Sequence, residues 1–246
     1  MKKIRSVVYL FSNVKEKCIH STGIDFNEYV NSMCQDLNHI LLLSSQYEGN
    51  DYHNGLRMDY VRKEDLDNLL KEDVYKFGEF SWIDFEELNS LDLLNPQDVS
   101  NILYLDHMKE PINTPFFETL NNKYVYLAHD DGWFNKCYVK EQNSYERLIS
   151  NLIPLKLKEI HRKKTSMIRK EVGEYLFKLS TEGLLIDFKE ASTSVRDFKL
   201  PVYIIGENYN FDNLINNLDF HKKKAKEKLW LVYKEKLWNI MNDNNN

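Results

Sequence analysis

Three features of this sequence predict an α+β fold built mainly from antiparallel sheet. Short alternating runs rich in Val, Ile, Tyr and Phe recur along the chain, and capped helix starts separate them. The third feature is the stretch Lys123 to Lys140, in which two apolar and aromatic runs flank Asp130-Asp131-Gly132. Gly supplies the positive φ that a tight turn demands, so this stretch reads as a β-hairpin.

Taken in order, Lys3 to Phe11 alternates and is predicted to be the first strand. Asp25 then caps a helix, with Glu28 reaching back from the third position and Ile24 placed to staple onto Tyr29. Its stripe of Phe26, Tyr29, Val30, Met33, Cys34 and Leu37 makes Cys34 a core thiol. His39 to Gln46 and Leu56 to Arg62 read as strands, joined by a loop over 47–55 with His53 at its tip. Glu64 to Leu70 is a short helix. Glu79 to Phe85 is a strand with Phe80 and Trp82 on one side and Ile83 and Phe85 on the other, and its acidic neighbours Asp84, Glu86 and Glu87 are read as facing water. Asn95-Pro96 opens a helix that runs to about Lys109. Asp106 falls on that helix's apolar arc, where a carboxylate needs a partner. A helix from Tyr145 to Ile153 is expected to end at Pro154.

The chain divides, on this reading, into a larger N-terminal α+β module over 1–154, a basic linker over 155–164, and a smaller αββαββ module over 165–246. In the last of these, Gly183 closes a helix carrying Ile168, Val172, Tyr175, Leu176 and Leu179 on one stripe. Pro201 assigns the strand from Phe198 to Ile205 to a sheet edge or bulge.

Composition narrows the function classes. The longest aliphatic run, Ile40 to Leu43, is far short of the roughly 20 residues of a membrane-spanning helix. Lys2, Lys3 and Arg5 before a short apolar run lack the small-residue cleavage site of a signal peptide, so the mature chain is expected to begin near Met1. Three cysteines without C-x-x-C spacing argue against a disulfide framework and a zinc site, and for a reducing cytoplasmic compartment. A net charge of −5 argues against generic attraction to nucleic acid or to an anionic membrane.

No phosphate loop, nucleophile elbow, H-E-x-x-H or EF-hand pattern is present, so a non-enzymatic binding or interaction protein, with a protein partner and without a cofactor, is the leading reading. A second reading is a metal-dependent hydrolase built from His107, His129, Asp130 and Asp131, because histidines and carboxylates hold divalent ions that activate water. Asp106 joins these four as a catalytic candidate. A third reading gives anionic-ligand binding to Lys156, Lys158, Arg162, Lys163 and Lys164, and Trp133 is a further binding candidate.

Ile102 to Pro111, Leu120 to Lys136 and Phe77 to Phe85 together resemble an uncharacterised family of soluble proteins from low-GC Gram-positive bacteria. The resemblance implies a bacterial source and carries no chemistry. Similar proteins are sometimes labelled oxalate:formate antiporters, a label that the hydropathy of this chain contradicts.

Overall fold

The computed structural model describes residues 5–34, 37–44, 51–74, 80–129, 132–193 and 197–242. Among them are the strands β1 (Val7–Asn13), β2 (Cys18–Thr22), β3 (His39–Ser44), β4 (Asp51–His53), β5 (Met58–Val61), β6 (Ser81–Phe85), β7 (Tyr124–His129), β8 (Phe134–Val139), β9 (Leu184–Asp187), β10 (Ser192–Thr193), β11 (Phe198–Ile204), β12 (Glu227–Lys234) and β13 (Leu237–Asn242). The helices are α1 (Phe26–Met33), α2 (Leu66–Leu69), α3 (Pro96–Met108), α4 (Gln142–His161), α5 (Lys170–Ser180), α6 (Phe211–Asn216) and α7 (Leu218–Lys223). One antiparallel sheet holds all the strands in the order β13-β12-β11-β9-β1-β2-β8-β7-β6-β3-β5-β4, with β10 beside β11. The protein is α+β.

The period-two alternation of the strands decides the layers. Val8, Leu10, Trp82, Tyr126, Leu200 and Trp238 face one side and pack with α1, α4 and α5 into one continuous core. On the other side two smaller clusters form. Leu41, Ile83, Val125 and Leu127 pack with Ile102 and Leu105 of α3, whereas Tyr9, Leu185 and Tyr203 pack with Phe211 and Leu214 of α6. Between those two clusters β2 and β8 carry His20 and Lys136, which stand opposite each other in the register.

The local signals behave as their chemistry dictates. Asp25 accepts from the Glu28 N–H while Glu28 accepts from the Asp25 N–H, completing a capping box. Asn95 caps α3 with Pro96 at its first position, and α3 ends at Lys109 in the left-handed region. The hairpin of β7 and β8 pairs from Tyr124↔Val139 to His129↔Phe134. Gly183, at φ +81°, follows α5, and a Cβ there would lie 1.9 Å from the Gly206 carbonyl oxygen, so only glycine fits.

Four expectations need correction. Pro154 does not end a helix: α4 continues to His161 and closes on Arg162 in the left-handed region. The missing N–H and ring clash cost about 3 kcal/mol, and the burial of Leu152, Ile153, Lys156 and Leu157 around that turn outweighs it. Most of the expected linker is therefore helix. Residues 51–53 belong to an edge strand rather than a loop, while 47–50 lie outside the described residues. β11 is an interior strand, between β9 and β12. Pro201 is tolerated there because β9 pairs only with Val202 to Ile204 and β10 only with Phe198 and Lys199, so no ladder is interrupted on that side. Finally, Asp84 does not face water. It is buried, and its carboxylate accepts from the N–H groups of Lys123 and Tyr124, at 2.9 and 2.6 Å. The pairing of β1 with β9 carries the sheet across the expected module boundary.

Candidate functional site

A groove crosses the sheet where the two clusters of the second face part. Its floor is β2 and β8, with Cys18 opposite Tyr138 and His20 opposite Lys136. One wall is the chain leaving α3, from Met108 to Phe116, and the other is the loop bearing Tyr209 ahead of α6. One cavity, about 460 Å³, is lined by Glu16, Lys17, Glu110, Phe116, Lys136 and Tyr138, among others. A middle cavity of about 200 Å³ adds His20, His129 and Tyr209 and shares Glu110 and Lys136 with the first. A third, about 370 Å³, holds Trp133 and Asp212 and shares Phe134, Tyr209 and Phe211 with the second.

Local structure explains each wall. Lys109 in the left-handed region, followed by Glu110-Pro111, turns the chain off α3 and over the floor. On the opposite side the buried Tyr9 hydroxyl donates to the Gly206 carbonyl (2.9 Å) and accepts from the Asn208 N–H (2.8 Å), pinning the loop next to Tyr209. Tyr209 then meets the His20 ring edge-on, with centroids 4.9 Å apart, and Phe11 lies on the imidazole at 6.2 Å. Phe11 and Tyr209 also meet each other at 5.8 Å, so the three rings form one cluster.

The charges of the floor are set by burial. Cys18 is fully buried, with Sγ 3.5 Å from His20 Nε2 and 3.7 Å from Glu16 Oε2. Burial pushes its thiol up to about 12. Burial also lowers His20 to about 4, reinforced by the positive charge of Lys136 and by His129, so the imidazole is neutral. Burial works against the charge of Lys136 as well, but the hydrogen bond to Tyr138 and the nearby Tyr138, Cys18 and Glu110 hold its ammonium above the ordinary lysine value. Its side chain is only 10% exposed, lies 5.0 Å from the Tyr138 ring centroid, and pairs at 3.5 Å with Glu110, which is 73% exposed.

The described candidates expected from sequence do not share one cavity. His129 does line the groove, stacked on Phe134 with centroids 4.6 Å apart. His107 is exposed on α3 and lines none of the three cavities. Asp106 is half-buried and bonds to Lys109 at 3.3 Å, and Lys109 also donates to Ser81. Asp130 and Asp131 lie outside the described residues. Trp133 lines the third cavity, with the Arg5 guanidinium 5.3 Å from its ring centroid. Lys156 is buried, 2.6 Å from Glu28 and 3.1 Å from the Arg5 carbonyl, and is no part of a basic surface. Lys158, Arg162 and Lys164 are exposed and Lys163 is half-buried.

Glu16, Cys18, His20, Glu110, Lys136, Tyr138 and Tyr209 were not singled out from sequence. The readable signal was the alternation of Cys18 with His20 and of Lys136 with Tyr138, which puts each pair on one face of a strand. Among the described residues no helix is long and apolar enough to cross a membrane. No family model, no curated protein and no solved structure matches this chain, so the groove is interpreted through its own chemistry.

Proposed function

We propose that this is a cytoplasmic, non-enzymatic binding protein whose groove takes an anionic ligand with a flat apolar body. The observation that carries the reading is the setting of Lys136. It is a deeply placed cation whose partner Glu110 stands on the exposed rim, so an incoming carboxylate or phosphate can take the place of Glu110. Phe116, Tyr138 and Tyr209 supply apolar walls for the ligand's body. Three free, buried cysteines fit a reducing compartment.

The same floor is poorly built for nucleophilic catalysis. A thiol pushed up to about 12 supplies almost no thiolate at neutral pH. The Glu16 carboxylate contacts the sulfur and not the far nitrogen of the imidazole, so it does not orient the ring as a triad requires. The hydrolase reading has less support, because His129 lines the groove while His107 lines none of its three cavities. Anion recognition moves from the 156–170 segment to Lys136.

The test is a thermal-shift screen against aromatic carboxylates and phosphate monoesters. Ligands that stabilise the parent should lose their effect in Lys136→Met and gain affinity in Glu110→Gln, which removes the competing carboxylate. Equal shifts in parent and Lys136→Met would sink the reading. So would turnover of a phosphoester or ester panel that a His129 substitution abolishes.

A further inference from the structure

We propose that Glu16, Cys18 and His20 form a binding site for a thiophilic divalent metal ion of the zinc class. Their ligand atoms all lie within 4.8 Å of one another, and they offer a carboxylate, a thiol and an imidazole. These are the donor types that zinc takes.

The spacing supports the assignment. With Zn–S of about 2.3 Å and Zn–N or Zn–O of about 2.0–2.1 Å, neighbouring ligand atoms of a tetrahedral site stand about 3.6 Å apart. Sγ to Nε2 is 3.5 Å and Sγ to Oε2 is 3.7 Å. The Glu16 and His20 ligand atoms are at most 4.8 Å apart, and Glu16 is an exposed side chain in the turn before β2 that can rotate to adjust that gap. The other two ligands are held. Cys18 is fixed in the sheet opposite Tyr138, and the His20 ring packs in one cluster with Phe11 and Tyr209. Such preorganisation lowers the ordering cost of binding.

Charge is balanced. Thiolate and carboxylate together neutralise a dication, which leaves Lys136 to its own partner Glu110. On binding, the Cys18 S–H bond breaks, a metal–sulfur bond forms, and the proton goes to solvent. No electron is transferred. Glu16 lines the first cavity and His20 the middle one, so the groove reaches two of the three ligands and can supply water as a fourth. The site does not depend on what else the groove binds.

The experiment is a Co²⁺ titration of chelator-stripped protein, followed by competition with Zn²⁺. One equivalent should bind, with the ultraviolet sulfur-to-cobalt charge-transfer band and the intense visible bands of a tetrahedral centre, and Zn²⁺ should bleach both. Cys18→Ala should lose the charge-transfer band. Because Cys18 is buried and that variant can lose its fold, Glu16→Gln and His20→Gln carry the decisive arm. Each should weaken Co²⁺ at least tenfold, and Glu16→Gln should leave the metal-free melting temperature unchanged. Absence of a sulfur band at saturating Co²⁺ would overturn the proposal, and so would affinity unchanged in both variants.

Discussion

Lys156 and Glu28 show what a single buried charge pair demands. Glu28 completes the α1 capping box with one oxygen and receives Lys156 with the other, and both side chains are almost fully buried. Burial, opposed by Lys156, raises the Glu28 carboxyl to about 7. Lys156→Met should cost up to about 3–5 kcal/mol in urea melts at about pH 9 and less near neutral pH, because without Lys156 the buried Glu28 carboxyl rises further and takes up a proton until the pH forces it to ionise unpaired. Glu28→Gln combined with Lys156→Met should recover most of that loss, since Gln keeps the capping bond. Asp84 makes a separate prediction. Burial raises it from 3.8 to about 7, against the pull of its backbone N–H bonds. The folded protein thus holds a proton that the unfolded chain releases, and stability falls as pH rises through that window. Urea melts at a series of pH values should show this slope in the parent and a shallower one in Asp84→Asn. The slope does not vanish, because Glu28 acts in the same direction. An identical slope in both proteins would place the Asp84 pKa elsewhere.

At the scale of elements, the turn between β12 and β13 is made by Glu235 and Lys236, with φ of 52° and 65°. Two successive left-handed residues are the geometry that Asn-Gly fills best. Glu235→Asn with Lys236→Gly should therefore raise stability by about 0.5–1 kcal/mol, read from the urea midpoint. Elements with short-range chemistry were legible in the sequence. The Asp25 box, the Asn95-Pro96 start and the β7–β8 hairpin each depend on residues a few positions apart. β2 was missed because Cys18-Ile-His-Ser-Thr22 offers a single aliphatic residue, and its burial comes from pairing with β1 and β8. β4 and β10 were missed for want of length. Pro154 was misread because its local penalty is overruled by a core assembled from distant strands. The groove suffered most. Its residues come from β2, β8, the end of α3 and the loop before α6, and only the folded sheet brings them together.

The sheet runs from β4 to β13, and the core beneath α1, α4 and α5 runs from β5 to β13. Unfolding is therefore expected to be one transition. Tryptophan fluorescence and far-ultraviolet circular dichroism should give superimposable urea curves, with Trp82 and Trp133 reporting on the first part of the chain and Trp230 and Trp238 on the last. Curves that separate would show the segments before and after α4 unfolding independently.

The pairing of β1 with β9 also bears on how the chain is made. β1 lies inside the sheet, yet the strand that covers one of its edges begins at Leu184. At about 5–20 residues per second, a ribosome takes on the order of ten seconds or more to reach that strand after finishing β1. Throughout that interval the nascent polypeptide presents Val7 to Leu10 as an open, sticky edge. Synthesis rate and chaperone cover, rather than equilibrium stability alone, should then govern the yield of soluble protein from cells.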